Sequence, residues 1–210
     1  MVRVSKDPQE RKNELLDAAM KLFNDKGYEQ TSVSDIVKEV GVAQGTFYYH
    51  FKSKDEMVNA ACERALAARI EEVEKTVEHA QWDASEKLTR IFTEAFPAER
   101  DEAMFNYLHK EDNSSLHQKW IVAEIQALIP YVKKIVRQGV EEGSFTGKQP
   151  EVAMEFLLVG ASFWLDRGIF PWSEEEYQFK RQSMATIIDQ LLGGERIFSE
   201  IDVASPKQVD

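Results

Sequence analysis

The stretch TSVSDIVKEVGVAQGTFYYHFKSKDEMV, Thr31–Val58, carries the start and stop signals of consecutive short helices. Ser32 followed by Asp35 predicts a capping box at the start of the first helix, and Gly41 predicts a left-handed residue at its end. A second helix is predicted over residues 44–51, after a turn of only a few residues. Two short helices joined by a Gly-containing turn are typical of a helix-turn-helix.

The second of these helices has two chemically different sides. Each helical residue advances about 100° around the axis, so Phe47 and Phe51 share an apolar face that we expect to point inward. The other side and its flanks present small and hydrogen-bonding residues, namely Gln44, Gly45, Thr46, Tyr48, Tyr49 and His50. A glycine permits close approach of a partner, and hydroxyl groups donate to phosphate oxygens or base edges. The pattern therefore favours a surface that contacts nucleic acid over a helix buried on all sides.

The remaining sequence predicts an all-α protein of about nine helices. Asp7 begins and Gly27 ends the first helix, and Ser53 caps a long fourth helix that runs to about residue 79. Further helices are predicted over residues 84–96, 99–109, 115–142, 151–170 and 173–192. Pro130 is expected to kink the longest of these.

Composition places limits on the function. The chain has 210 residues, a net charge of -11 and a single cysteine, Cys62. We find no signal peptide and no membrane-spanning run, so we expect a cytoplasmic protein without an internal disulfide. The first 54 residues carry nine Lys and Arg against eight Asp and Glu, so nearly all of the negative excess lies beyond them. A local basic surface in this first quarter is compatible with DNA binding.

The stretch Thr31–Val58 resembles the signature of the tetracycline-repressor (TetR) family of bacterial transcription regulators. The similarity rests on the Thr-Ser helix start, Ile36, Gly41-Val42, Gly45-Thr46, Tyr48, His50-Phe51 and Lys54. It implies a DNA-binding domain over residues 8–68 with its helix-turn-helix at about 32–51, a helical ligand-binding and dimerisation domain over 69–195, and a tail over 196–210.

The resemblance also implies roles for single residues. It makes the second short helix a recognition helix in the major groove of duplex DNA. The implied DNA-contacting residues are Ser32, Gln44, Gly45, Thr46, Tyr48, Tyr49, His50 and Lys54. Gln44 is the best candidate for reading a base, because its amide can pair with adenine, whereas Lys54 and Ser32 are expected to contact phosphate. Ala43 departs from the family, which often has Ser or Thr there, so the usual phosphate contact is not expected at this position.

The last two predicted helices carry more apolar surface than one face of a monomer needs to bury. In the family these two helices form a four-helix bundle with their symmetry mates. We therefore predict a two-fold homodimer, and an ordinary monomeric core is the alternative.

Aromatic residues in the C-terminal half predict a pocket for an apolar or aromatic small-molecule effector. The candidate lining residues are Phe92, Phe105, Trp120, Glu124, Tyr131 and Phe163. Rings in a helical domain are more often part of the core. Glu124 shares a helical face with Trp120 and Tyr131, so it is either an acid suited to a cationic aromatic ligand or a solvent-exposed side chain.

The sequence contains no motif for catalysis, metal binding or a cofactor. Its four histidines show no HxxxH or HExxH spacing, and we find neither a Gly-rich phosphate loop nor a GxSxG turn. We therefore expect no enzyme activity, no metal and no cofactor. The leading hypothesis is a homodimeric repressor that binds a near-palindromic DNA operator and is released by an effector. The alternatives are an activator or architectural DNA binder without small-molecule control, and a C-terminal half that is an enzyme or a protein-interaction module.

Overall fold

The computed structural model describes residues 6–95 and 106–193. Every regular element in these two ranges is helical, which confirms the predicted all-α class. The α-helices are α1 (Pro8–Lys26), α2 (Val33–Val40), α3 (Gln44–His50), α4 (Lys54–Glu78), α5 (Ala84–Ala95), α6 (Ser114–Glu142), α7 (Pro150–Trp164) and α8 (Glu174–Leu192). A short 3₁₀ helix, Glu111–Asn113, precedes α6. No helix within the described ranges is long and apolar enough to cross a membrane.

Some predicted segments differ from these bounds or fall outside them. Most of the predicted 99–109 helix and the whole 196–210 tail lie outside the described residues, although residues 106–108 are helical. Helix α7 ends at Trp164 rather than near residue 170, because a turn follows it. In that turn the Asp166 carboxylate accepts the backbone N–H groups of Gly168 at 2.8 Å and Ile169 at 3.2 Å.

The described residues form two compact units, and the change from one to the other falls inside α4. The first unit contains residues 6–68 and 106–116, and the second contains 69–95 and 117–193. Buried side chains of the first unit include Leu15, Leu16, Phe23, Ile36, Phe47, Phe51 and Met57. Those of the second include Leu88, Ile91, Leu128, Ile135, Met154 and Leu158.

Local capping explains where α2 begins and ends. The Ser32 hydroxyl accepts the backbone N–H of Asp35, and the Asp35 carboxylate accepts the backbone N–H of Ser32, so the predicted capping box is confirmed. Lys26 pairs with Asp35 at 2.8 Å. This pairing and the bonds from Ser32 hold the pKa of the Asp35 carboxyl well below its usual range. Gly41 ends α2 with φ of 74°, the left-handed conformation that glycine adopts without strain.

Polar side chains connect α4 and α6 within the second unit. The connecting pairs are Arg69 with Glu124, Glu74 with Tyr131, and Glu78 with Lys134. The buried Lys87 of α5 adds bonds to the carbonyl of Val77 at 2.8 Å and to Gln138 at 2.9 Å. Helix α6 continues through Pro130 without ending there. These α4–α6 pairs fix the C-terminal half of α4 against the core of its unit.

Candidate nucleic-acid interface

Two aromatic side chains anchor one side of α3. Phe47 and Phe51 are 0 % and 1 % exposed, and their ring centroids lie 5.7 Å apart. The backbone N–H of Phe51 donates to the carbonyl of Phe47 at 2.8 Å and closes the last turn of the helix. The predicted inward face is therefore confirmed, and it fixes which side of α3 faces outward.

The opposite side of α3 is open to solvent. Tyr48 and Tyr49 are 55 % and 75 % exposed, Gln44 and Gly45 are also exposed, and Thr46 is half-buried. A Cβ atom at Gly45 would meet no other atom within 4 Å, so the packing of the chain does not require glycine here. Two exposed phenol rings beside such a glycine are typical of a surface that contacts a partner outside the chain.

His50 lies at the edge of this open side, half-buried, with its ring centroid 4.8 Å from that of Tyr49. Burial lowers the pKa of His50 below its ordinary value, and the positive charges of Lys12 and Arg11 lower it further. The imidazole is therefore mainly neutral at pH 7. Lys12 extends from α1 with its Nζ 5.7 Å from the ring centroid of Phe51, so it places a cation on the same edge. A phosphate group beside this edge would be attracted by the lysine and would favour protonation of the imidazole.

Lys54 and Ser32, the two residues expected to contact phosphate, already have partners within the chain. The Lys54 Nζ donates to the carbonyl oxygens of Tyr28 at 2.9 Å and Thr31 at 2.7 Å, and it lies 4.2 Å from the ring centroid of Tyr28. The Ser32 hydroxyl donates to the Asp35 carboxylate at 2.8 Å and belongs to the cap of α2. A phosphate contact by either residue must share or replace these bonds, and it stays a prediction.

Three of the four aromatic pocket candidates other than Tyr131 lie within the described residues, and they differ in burial. Phe92 is 5 % exposed and packs in the core of the second unit. Trp120 and Phe163 are half-buried, and Phe105 lies outside the described residues. Among the described members of this group, Trp120 and Phe163 therefore keep some accessible surface.

Glu124 and Tyr131, the two polar candidates, belong to the α4–α6 pairs. The Glu124 carboxylate is mostly buried and accepts a hydrogen bond from the Arg69 guanidinium. The Tyr131 hydroxyl donates to Glu74 at 2.5 Å. A cationic ligand at Glu124 would therefore compete with an internal guanidinium for the carboxylate, and the pocket assignment stays a prediction.

Helices α7 and α8 expose large apolar side chains. We call the exposed set the α7/α8 face; it comprises Val152, Phe156, Val159, Phe179 and Ile187. Phe156 is 81 % exposed and Phe179 is 68 % exposed. A Cβ atom at Gly160, beside Phe156 and Val159 on α7, would meet no atom within 4 Å. Rings this exposed on helices of a folded domain indicate a surface that a partner covers.

Two family models match the chain. The model described as bacterial regulatory proteins, tetR family, matches residues 15–61, which include α2 and α3. The model of the tetracyclin repressor-like C-terminal domain matches residues 98–187. The chain belongs to the TetR family. It is a DNA-binding transcription regulator whose TetR-type helix-turn-helix is formed by α2 and α3.

Known proteins with similar sequence or structure agree with TetR membership. The fatty acid metabolism regulator protein of Bacillus subtilis (strain 168) is 24 % identical over 184 residues, covering 85 % of this chain and 92 % of that protein. YfiR, an uncharacterized HTH-type transcriptional regulator of the same organism, is 26 % identical over 155 residues, covering 70 % of this chain and 75 % of YfiR. The crystal structure of the transcriptional regulator FadR from Bacillus subtilis in complex with stearoyl-CoA aligns with a TM-score of 0.59 at 21 % identity, covering 87 % of this chain and 98 % of that one. At this identity the structural similarity shows the TetR fold alone.

The sequence signature does not reveal which distant residue contacts Asp55, next to the TetR helix-turn-helix. From the sequence alone, Asp55 is an acidic residue at the start of α4, and Tyr107 is one of many aromatic residues in the C-terminal half. In the structure the Tyr107 hydroxyl donates to the Asp55 carboxylate at 2.7 Å, although the two residues are 52 positions apart. No local pattern connects residues at that separation, so only the fold reveals this contact.

Proposed function

We propose that this protein is a homodimeric transcriptional repressor that binds a near-palindromic operator and is released from it by a small-molecule effector. The open side of α3 carries the proposal. There the exposed rings of Tyr48 and Tyr49 lie beside Gly45, a glycine that internal packing does not require. Phe47 and Phe51 hold that side in one orientation, and a helix held in this way can enter a major groove and read base edges.

The α7/α8 face supports the homodimer. Phe156 and Phe179 lie on different helices of the second unit and are both largely exposed. Burial of such side chains against a second copy removes apolar area from water and stabilises the dimer by roughly 1.5–3 kcal/mol for each fully buried ring. A two-fold dimer presents two α3 helices, and helix-turn-helix dimers read half-sites roughly 34–36 Å apart along the duplex. The operator is then an inverted repeat, because each half-site meets the same residues.

The effector is proposed to be an apolar or aromatic molecule bound in the second unit. The half-buried rings of Trp120 and Phe163 support an apolar site. Long-chain acyl-CoA thioesters are the first compounds to test, because FadR from Bacillus subtilis was crystallised with stearoyl-CoA. Cationic aromatic compounds form the second class, since they could displace Arg69 from Glu124. Effector and operator should weaken each other's binding by the same factor.

Selection from a random duplex library with the full-length protein tests the proposal. We expect an inverted repeat whose half-site centres lie about one helical turn apart. Stearoyl-CoA and a cationic aromatic dye are then titrated against the complex, and release identifies the effector class. A reporter gene behind the selected operator should lose expression when the protein is present.

Each alternative outcome has a distinct meaning. A library in which no sequence is enriched would refute operator binding. An enriched site without two-fold symmetry would refute the dimeric arrangement. A reporter that gains expression would identify an activator instead of a repressor.

A further inference from the structure

Two tyrosines from distant parts of the chain meet on one carboxylate in the first unit. Tyr28 lies between α1 and α2, and its hydroxyl donates to Asp55 Oδ1 at 2.7 Å. Tyr107 donates to the same oxygen at 2.7 Å. The two ring centroids are 4.6 Å apart, and Tyr107 is only 3 % exposed. The hydroxyls of Tyr28 and Tyr107 hold the pKa of Asp55 below its usual range, so the carboxylate accepts both bonds as an anion.

Lys110 adds a second link three residues after Tyr107. Its Nζ pairs with Glu29 at 2.6 Å and lies 5.0 Å from the ring centroid of Tyr28. The Asn113 side chain donates to the carbonyl of Tyr107 at 2.8 Å, which fixes the conformation of this short segment. Tyr107 and Lys110 thus both contact the turn that contains Tyr28.

The turn that these residues hold leads directly into the helix-turn-helix. Lys54 binds the carbonyls of Tyr28 and Thr31 at opposite ends of the turn. Thr31 is 1 % exposed, and its hydroxyl donates to the carbonyl of Gly27 at 2.8 Å. The next residue, Ser32, is the N-cap of α2. A displacement of Tyr28 would therefore move the start of α2.

We propose that Tyr107 and Lys110 are positioning residues for operator binding. They hold the Tyr28–Thr31 turn, and through it the start of α2, in the arrangement that presents α3 to DNA. This inference rests on the proposed function. Residues 106–116 fall within the match to the tetracyclin repressor-like C-terminal domain, yet their contacts are with the first unit. In this proposal, a segment that the family model assigns to the C-terminal domain therefore positions the helix-turn-helix for operator binding.

Tyr107→Phe tests the inference because it removes only the hydroxyl. Ser144→Ala is the control, since it also removes only a hydroxyl, one that donates to the carbonyl of Gly139 at 3.1 Å within the second unit. We expect Tyr107→Phe to bind the selected operator roughly three- to tenfold more weakly, the effect of losing a hydrogen bond to a charged group. The salt dependence of binding should stay parental, because no phosphate contact is lost. Ser144→Ala should bind the operator like the parent.

A second readout separates positioning from general stability. Well below the unfolding temperature, amide hydrogen exchange should be faster at residues 28–32 in Tyr107→Phe and unchanged in the buried part of α1. Lys110→Gln is the second variant, and it should weaken operator binding by roughly two- to fivefold. In the double variant Asp55→Asn/Tyr107→Phe, operator affinity should fall by less than the product of the two single fold-changes. The reason is that both substitutions break the same hydrogen bond, between Tyr107 and Asp55.

Parental operator affinity in both Tyr107→Phe and Lys110→Gln would overturn the inference. Additive losses in the Asp55→Asn combination would also count against it. Failure of the proposed function looks different, because the parent itself would then enrich no duplex. In that case the exchange measurement alone decides whether Tyr107 holds the turn.

Discussion

Tyr49 lies one helical turn after Gly45 on α3, and both residues are exposed on the side opposite the buried Phe47. A helical glycine costs about 1 kcal/mol relative to alanine, and no atom occupies the space of the missing Cβ. Gly45→Ala should therefore raise the free energy of unfolding by up to about 1 kcal/mol. The same methyl group should weaken operator binding by about tenfold, because it would enter the proposed closest approach of α3 to DNA.

Thermal unfolding and fluorescence anisotropy with a labelled operator measure these two effects of Gly45→Ala. Asn59→Ala, an exposed substitution on α4 in the same unit, is the control and should leave operator affinity unchanged. Parental operator affinity in Gly45→Ala would show that α3 does not approach DNA through this side.

His50 should make operator binding depend on pH. Its pKa in the free protein lies below the ordinary value of 6.5, and nearby phosphates would raise it in the complex. The complex then binds more protons than the free protein, so affinity should rise as the pH falls from 8 to 6, by at most about tenfold per pH unit. His50→Gln should lose this rise, which anisotropy titrations at several pH values would measure. An identical rise in both proteins would assign the effect to another group.

The lowered pKa of His50 should also make the stability of the folded protein depend on pH. Because protonation is disfavoured in the folded state, the contribution of His50 to stability is complete above its ordinary pKa of 6.5. This contribution is lost as the pH falls through the lowered pKa of His50 in the folded state. Chemical denaturation should show the parent losing more stability than His50→Gln below pH 6.5. Parallel stability profiles for the two proteins would contradict the shift.

Lys54→Met should have two separable effects. It removes a charged donor from the carbonyls of Tyr28 and Thr31, so the free energy of unfolding should fall by roughly 1–3 kcal/mol. If Lys54 also contacts a phosphate, the slope of log affinity against log salt concentration should decrease by about 1. Lys52→Met, an exposed neighbouring lysine, is the stability control. An unchanged slope would restrict Lys54 to the internal role.

Phe156→Lys should convert the proposed dimer to monomers. In a two-fold interface the substitution occurs twice, so two charges would have to be buried, and the dimer dissociation constant should rise by about 100-fold or more. Sedimentation equilibrium would measure it, and operator affinity should fall with it. Val122→Lys, on the 40 % exposed Val122 of α6, is the matched control. A dimer that persists in Phe156→Lys would place the interface elsewhere.

The Arg69–Glu124 pair should be strongly coupled. Both side chains are mostly buried, so Glu124→Gln leaves a guanidinium without its carboxylate and should cost roughly 1–3 kcal/mol of stability. Replacement of both residues by methionine should recover most of that loss. A double-mutant cycle by urea denaturation measures the coupling energy. Losses that simply add would mean that the two groups do not stabilise each other.

Sequence patterns predict the parts of this fold that depend on neighbouring residues. The Ser32–Asp35 capping box, the Gly41 helix end and the inward pair on α3 all follow from spacings of a few residues, and each is confirmed. The internal bonds of Lys54 could not be predicted, because its partners lie 26 and 23 positions earlier in the chain. A lysine beside a recognition helix suggests phosphate binding until the carbonyls that it meets are known.

Anchoring and the proposed DNA contact fall on different residues in and directly after α3. Phe47 and Phe51 bury their rings, whereas positions 45, 48 and 49 are exposed. A library randomised at these three positions should keep the fold in most of its members while varying the groups that are proposed to meet the bases. We therefore expect that the operator preference of this regulator can be redesigned by substitution on one exposed helix side, with the rest of the protein left as it is.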